Sequence, residues 1–149
     1  LKDGSKCYVG LRKANAVGVI DMAKLELMKT IETGPDANRL YLNPGNSRYG
    51  LFANEAGKSD IVSIIDTQLD VKVKDIWTGL GPHNVAFDPD GKFAVISTKK
   101  ENVATLVDTG SADPNDWDVI TTDLDSGIQN NGVRWVPSPA ALKKALAQN

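Results

Sequence analysis

GLGPHNVAFDPDGKFAVIST, which spans residues 79–98, carries the strongest structural signal in the chain. A Gly-Pro turn leads into the apolar run 85–87, the segment 88–91 (Asp-Pro-Asp-Gly) interrupts it, and a second apolar run covers residues 93–98. Proline presets φ for a turn, while Asp and Gly tolerate the left-handed conformation that a tight turn requires. The pattern therefore predicts a β-hairpin.

Two more apolar runs follow this hairpin, at residues 103–108 and 117–124. Each is short and is bounded by turn-forming residues, which is typical of strands. Four short strands in succession are enough to form one antiparallel sheet. Residues 79–126 are therefore predicted to form one four-stranded unit.

The same arrangement recurs towards the N-terminus. Aspartates close the predicted third strands at Asp21, Asp66 and Asp108, which are 45 and 42 residues apart, and Thr33 and Thr78 mark the joints between units. The fourth strands are predicted at residues 26–32, 71–77 and 118–124. A fixed period of 40 to 50 residues with four strands in each unit is typical of β-propeller blades. The recurring aspartates are expected to cap turns through their side chains.

The turn and strand pattern of residues 79–98 with NVATLVD after it, and the run 7–10 before AVGVID, resemble the Tyr-Val-Thr-Asn (YVTN) β-propeller repeats of bacteria and archaea. The resemblance extends to about residue 137. It implies an all-β fold, a β-propeller of four-stranded antiparallel blades with about three blades in this chain. It also implies a periplasmic or extracellular location.

The partial propeller is predicted to cover residues 1–137, with blade parts 1–33, 34–78 and 79–126 and one inner strand within 127–137. The tail, residues 138–149, is predicted to form a short helix because Ser138 and Pro139 precede good helix formers. A propeller closes with four to eight blades, so the remaining blades must come from the same or another chain. The favoured expectation is a piece of a longer polypeptide, whose first outer strands could pair with the last inner strand. The alternative is a six-bladed ring of two copies.

Composition narrows the functional classes. The chain has 149 residues, of which 41% are hydrophobic and 24% charged, and a net charge of −2. This balance gives no reason to expect nucleic acid as a partner, and no apolar run approaches the ~20 residues of a membrane span. The single cysteine, Cys7, excludes an internal disulfide and multi-cysteine metal motifs, and its strand-like setting predicts a small buried side chain.

Candidate binding residues follow from propeller topology. Loops that lead into inner strands and loops that join second to third strands lie on one face, which we call the loop face. Binding sites are commonly built on such loops. Lys58 adds to the positive charge there, whereas Asp3, Asp88, Asp90, Asp113 and Asp116 are expected on the opposite face. The candidates on the loop face are Arg12, Lys13, Asp36, Asn38, His83, Asn84, Lys99, Lys100 and Asn130.

His83 is the only histidine and is predicted to lie where a channel-facing ligand or general base would lie. Imidazole commonly binds metals and exchanges protons near neutral pH, but a metal site needs three or four ligands. No second histidine or cysteine cluster is present, so no metal site is predicted unless co-ligands come from elsewhere. In the family, histidine at this position commonly has a structural role in the turn. The sequence identifies no cofactor.

Two functions remain open at this point. The leading hypothesis is a scaffold or binding domain whose loop face takes a protein or small-ligand partner, since a basic face would steer an anionic ligand or an acidic protein. The alternative is the propeller portion of a redox or hydrolytic enzyme that holds a metal or cofactor, with His83 near the central channel. The sequence does not settle whether the chain is part of an enzyme.

Overall fold

The structure is a computed structural model that describes residue 1, residues 3–126 and residue 133. The predicted inner strand within 127–137, the predicted helix at 138–149 and the candidate residue Asn130 lie outside the described residues. No helix in the described part of the chain is long and apolar enough to cross a bilayer.

Eleven strands form three antiparallel sheets in the described residues. Sheet 1 has the order β1-β2-β3, sheet 2 the order β4-β5-β6-β7, and sheet 3 the order β11-β10-β9-β8. The strands are β1 Lys6–Leu11, β2 Ala16–Asp21, β3 Glu26–Glu32, β4 Ala37–Leu42, β5 Tyr49–Asn54, β6 Ile61–Asp66, β7 Val71–Trp77, β8 Pro82–Phe87, β9 Phe93–Thr98, β10 Val103–Asp108 and β11 Asp118–Asp125. The strands predicted before residue 126 are confirmed, and so is the all-β propeller-blade fold; the described sheets do not close into a ring.

The predicted hairpin joins β8 to β9. The Asp88 carboxylate accepts the Phe93 amide at 2.8 Å, and the Gly91 amide donates to the Asp88 carbonyl at 3.0 Å. Gly91 has φ +70°, where a side chain would be strained and would meet the Asn43 amide group. The Asp and Gly residues that predict the turn are therefore the ones that stabilise its geometry.

The strand-ending aspartates also behave as the repeat predicts. The Asp21 carboxylate accepts the amides of Ala23 and Lys24, and the Asp108 carboxylate accepts the Gly110 amide at 2.9 Å. These are turn-capping hydrogen bonds, and Asp66 makes the equivalent pair in sheet 2.

The sheets stack face to face, with one apolar layer between each neighbouring pair. Between sheets 1 and 2 lie Val17, Val19, Ile31, Ala37, Phe52 and Ile65. Between sheets 2 and 3 lie Tyr49, Leu51, Val62, Ile64, Ile76, Val85, Ala94, Ile96, Val107 and Trp117. Alternate residues of β5 and β6 point to opposite layers, since side chains along a strand alternate between faces. Sheet 2 is consequently buried on both faces.

Sheet 1 lies close against sheet 2 at Gly10. A Cβ atom there would lie 2.3 Å from the Ala37 carbonyl oxygen, so only glycine fits. At the other end of β1, Lys6 pairs with Asp70 at 2.7 Å, and the Tyr8 hydroxyl donates to the same carboxylate. Burial raises the pKa of Tyr8, and the hydrogen bond to Asp70 raises it further.

Cys7 corrects a sequence-based expectation. Its side chain is exposed, not buried. Cys7 and Val9 alternate with Tyr8 along β1, and Tyr8 packs against the layer shared with sheet 2. Cys7 therefore lies on the outward face of sheet 1, which no described sheet covers.

Acid stability should depend on Asp66, which is only 3% exposed. Burial alone would raise the pKa of this carboxyl, but hydrogen bonds from Arg48 and two backbone amides lower it below its usual value. Its stabilising effect is therefore present above the unfolded pKa of about 4 and is lost as the pH falls through the folded pKa. We expect the difference in unfolding free energy between wild type and Asp66→Asn to be largest near neutrality and to shrink below about pH 4. Urea unfolding across this pH range measures it, and a constant difference would contradict the assignment.

Candidate functional site

The loop face of the structure comprises residues 12–15, 33–38, 55–60, 78–84 and 99–102. These segments begin the inner strands β4 and β8 or connect second to third strands. The sequence predicted loop positions for His83, Asn84 and Asn38. The structure corrects this, because all three lie within the first three residues of β8 or β4. Pro82 does not prevent this, because proline is tolerated at the first residue of a strand.

Three charged residues occupy the same repeat position on successive sheets. Arg12, Glu55 and Lys99 each follow directly after β1, β5 and β9, respectively. Their charges alternate along the stack, with the carboxylate in the middle. Equivalent positions of stacked blades lie side by side, so the two cations flank Glu55.

Glu55 is the centre of the site, and its side chain is only 8% exposed. It lies 3.6 Å from Arg12 Nη1 and 3.4 Å from His83 Nε2, and it pairs with Lys99 Nζ. The Asn38 amide donates to its second oxygen. A buried carboxylate needs such partners, because an unpaired charge away from water is strongly unfavourable. We call these five residues the Glu55 network.

Sequence reasoning missed Glu55, although it identified all four of its partners. Among the charged residues of the loop face, the prediction selected the basic ones and Asp36, but not Glu55. The available signal was the repeat position, since Glu55 aligns with Arg12 and Lys99 and has the opposite charge.

Asp36 extends the network through Arg12. The guanidinium Nε and Nη2 contact the two carboxylate oxygens at 2.5 and 2.7 Å, which is the two-point geometry that arginine favours. This hydrogen bonding lowers the pKa of Asp36 and raises that of Arg12. Asp36 has φ 61°, and its amide donates to the Asn15 side chain at 3.1 Å, which fixes this corner.

His83 and Asn84 form the inner edge of the site. The Asn84 amide nitrogen lies 2.9 Å from His83 Nδ1, and the Tyr41 hydroxyl donates to the Asn84 side-chain oxygen at 2.6 Å. Burial raises the pKa of Tyr41. The imidazole is therefore held between Asn84 and Glu55, a geometry that orients it without providing a metal site. The residues described here contain no group of three or more His, Cys, Asp or Glu side chains that could hold a metal ion.

The remaining candidates lie outside the Glu55 network. Lys13, Lys58 and Lys100 are exposed, and none of them forms an ion pair with residues 1, 3–126 or 133. Arg12 and Lys99, by contrast, have acidic partners. Asp60 and Glu101 also lie in these segments, so the three exposed lysines give the loop face a small excess of positive charge around a network that is internally paired.

On the opposite face, one predicted charge has a different role. Asp88 is 8% exposed and its carboxylate is engaged in the β8–β9 turn, so it is not part of an exposed acidic surface. Asp3 and Asp113 also accept hydrogen bonds from nearby backbone amides, of Ser5 and Asn115, respectively.

Comparison with known proteins supports the β-propeller fold and shows no specific function. No family model matches the chain, and neither does any curated protein. Among solved structures, the chain is similar to hydrazine synthase of Kuenenia stuttgartiensis (26% identity, TM-score 0.65), over 79% of this chain and 35% of that one. It is also similar to the dihydro-heme d1 dehydrogenase NirN in complex with DHE (17%, TM-score 0.71), over 90% of this chain and 28% of that one.

A third similar structure is a putative 6-phosphogluconolactonase from Bacteroides fragilis (22% identity, TM-score 0.65), with 85% of this chain and 38% of that chain covered. The chain thus spans about a third of the length of each of these proteins. All three are β-propeller-like, and together with the three stacked sheets they identify the described chain as a set of β-propeller blades.

Proposed function

We propose that the chain belongs to a larger extracytoplasmic protein or complex with a propeller of YVTN-type repeats, and that its loop face binds a partner. The sequence resemblance supports the repeat type and the compartment. The share of the similar structures that the chain covers supports a larger assembly, in which further blades come from the same or another chain.

The observation that carries the binding role is the Glu55 network together with the exposed lysines. The ion pairs of Glu55 with Arg12 and Lys99 connect three successive sheets at the loop face. These side chains are therefore already ordered before a partner binds. Preorganisation of this kind favours affinity, because less conformational entropy is lost on binding. Lys58 and Lys100 beside the network favour an anionic partner, either a small carboxylate or an acidic protein segment.

The alternative is the propeller portion of a redox or hydrolytic enzyme. The observation that favours it is the position of His83, the second residue of the inner strand β8, which is 16% exposed and 3.4 Å from Glu55. The three similar structures also have enzyme names. His83 would then contribute one group to a centre whose other groups lie outside the described residues.

Charge reversal on the loop face tests the binding role. We expect citrate and an octaglutamate peptide to shift amide signals of the ¹⁵N-labelled chain around Lys13, Lys58 and Lys100 in a saturable manner. The variant Lys58→Glu/Lys100→Glu should bind both probes about tenfold more weakly or worse, because like charges now face the ligand.

The matched control is Lys24→Glu/Lys92→Glu, which changes the net charge equally but lies in exposed turns of the opposite face. It should keep the affinity within about twofold of wild type. Equal weakening in both variants, or shifts confined to the opposite face, would contradict a binding site on the loop face.

A further inference from the structure

A second surface, on the outer side of the stack, is independent of the loop face. The outer strands β7 and β11 of sheets 2 and 3 leave a groove of about 340 Å³ between them. Its lining includes Ile76, Trp77, Trp117, Val119 and Thr122. Ile76 and Trp117 are 4% and 1% exposed and form its apolar floor.

This groove is a property of two complete four-stranded sheets. Further blades of a propeller would pack on the outward faces of sheets 1 and 3, so they would not fill a groove between sheets 2 and 3. Lys74 spans it at one end, where its ammonium donates to the carbonyls of Asn115 and Trp117 at 2.7 Å each. The groove is therefore preformed, and Lys74, the only basic side chain among the described residues that line it, is already engaged.

A large apolar side chain remains exposed beside the groove. Trp77, at the end of β7, is 68% exposed and lines the groove. Exposed tryptophan beside an apolar groove is the kind of residue that contributes most to protein–protein binding.

The β11 side of the groove is negatively charged. Residues 113–125 contain five acidic side chains and no basic one, whereas on β7 Lys72 is paired with Asp75 and Lys74 is engaged as described. Asp116, Asp118 and Asp123 accept hydrogen bonds from neighbours in their own segment, and none of the three forms an ion pair with a described residue. Asp118 itself lines the groove. A partner that supplies positive charge would be electrostatically complementary.

The backbone of β11 adds a third feature. It is the outermost strand of sheet 3, and within the described residues only β10 pairs with it. An edge strand can pair with an extended segment of another protein, whose alternate side chains then face the groove.

We propose that the groove between β7 and β11 binds an extended cationic segment of a partner protein, in which Lys or Arg alternates with apolar side chains. The apolar side chains lie on Ile76 and Trp117 beside Trp77, and the basic ones lie opposite Asp116, Asp118 and Asp123. This interaction does not depend on the partner of the loop face.

The probe for this test is the acetylated and amidated peptide KFKVKTK, titrated into the ¹⁵N-labelled 149-residue chain. We expect saturable shifts of the Trp77 indole signal and of amides in β7 and β11, and none with EFEVETE. The variant Asp116→Asn/Asp118→Asn/Asp123→Asn should weaken binding by about fivefold or more, since three facing charges are removed. Trp77→Ala should also weaken it.

The control variant, Asp3→Asn/Glu26→Gln/Glu32→Gln, removes three exposed carboxylates from sheet 1 and the turn before it and should retain wild-type affinity. Equal affinity of the two triple variants would overturn the proposal, as would the absence of saturable shifts in β7 and β11. Equal binding of QFQVQTQ would overturn the cationic assignment. The same shifts on concentrating the chain alone would show that a second copy occupies the groove.

Discussion

Trp117→Ala is expected to lower the free energy of unfolding by about 3–5 kcal/mol, the range for removing a large aromatic side chain from a core. Trp117 is 1% exposed, and its ring lies edge-on to Tyr49 with centroids 6.0 Å apart. Its indole N–H donates to the Ser111 carbonyl at 2.9 Å, so truncation also removes a hydrogen bond. Urea unfolding of the purified chain measures the loss.

The matched control for this substitution is Trp77→Ala. Trp77 is 68% exposed, so the same change should cost less than about 1 kcal/mol. If the two variants lose equal stability, sheets 2 and 3 are not packed around Trp117.

Glu55→Ala is expected to lower the free energy of unfolding by about 1–3 kcal/mol, because donors on three sheets lose the buried carboxylate that is their shared acceptor. The loss stays below that for a fully buried ion pair, since Arg12 and Lys99 are 52% and 34% exposed and can regain water. The measurement is again the urea midpoint at neutral pH.

Glu32→Ala is the control for Glu55, because Glu32 is an exposed glutamate on β3. It should change stability by no more than about 0.5 kcal/mol. Similar losses for the two variants would show that Glu55 does not connect the sheets, and the preorganised loop face would have to be abandoned.

Most of the fold could be predicted from the sequence because its signals are local. The turn at Asp88 is specified by four adjacent residues. A second kind of turn, after the third strand of each unit, is indicated by the regular spacing of Asp21, Asp66 and Asp108. Each strand is a short apolar run between such turns. In residues 6–125 the structure places strands close to where this pattern predicts them, but it begins β8 at Pro82, three residues before the apolar run, and extends the last strand by one residue to Asp125.

The candidate site could be predicted only in part, because its contacts connect different sheets. Glu55 and Lys99 are 44 positions apart, and no local pattern indicates that they pair. Propeller topology placed Arg12 and Lys99 on the loop face, but it did not indicate that both side chains form ion pairs with acidic residues. The exposure of Cys7 was missed for a related reason: a strand pattern does not show which face of a sheet has a neighbour.

The face-to-face packing of successive sheets is the feature on which the loop face and the outer groove both depend. Tyr49 belongs to sheet 2 and Trp117 directly precedes the outer strand of sheet 3, and their rings meet at an interplanar angle of 82°. A two-dimensional NOE spectrum of the chain, with both rings assigned through Tyr49→Phe and Trp117→Phe variants, tests this contact directly. The structure predicts cross-peaks between the Tyr49 ring protons and the Trp117 indole protons. Assigned rings without a cross-peak would contradict the stacked-blade arrangement.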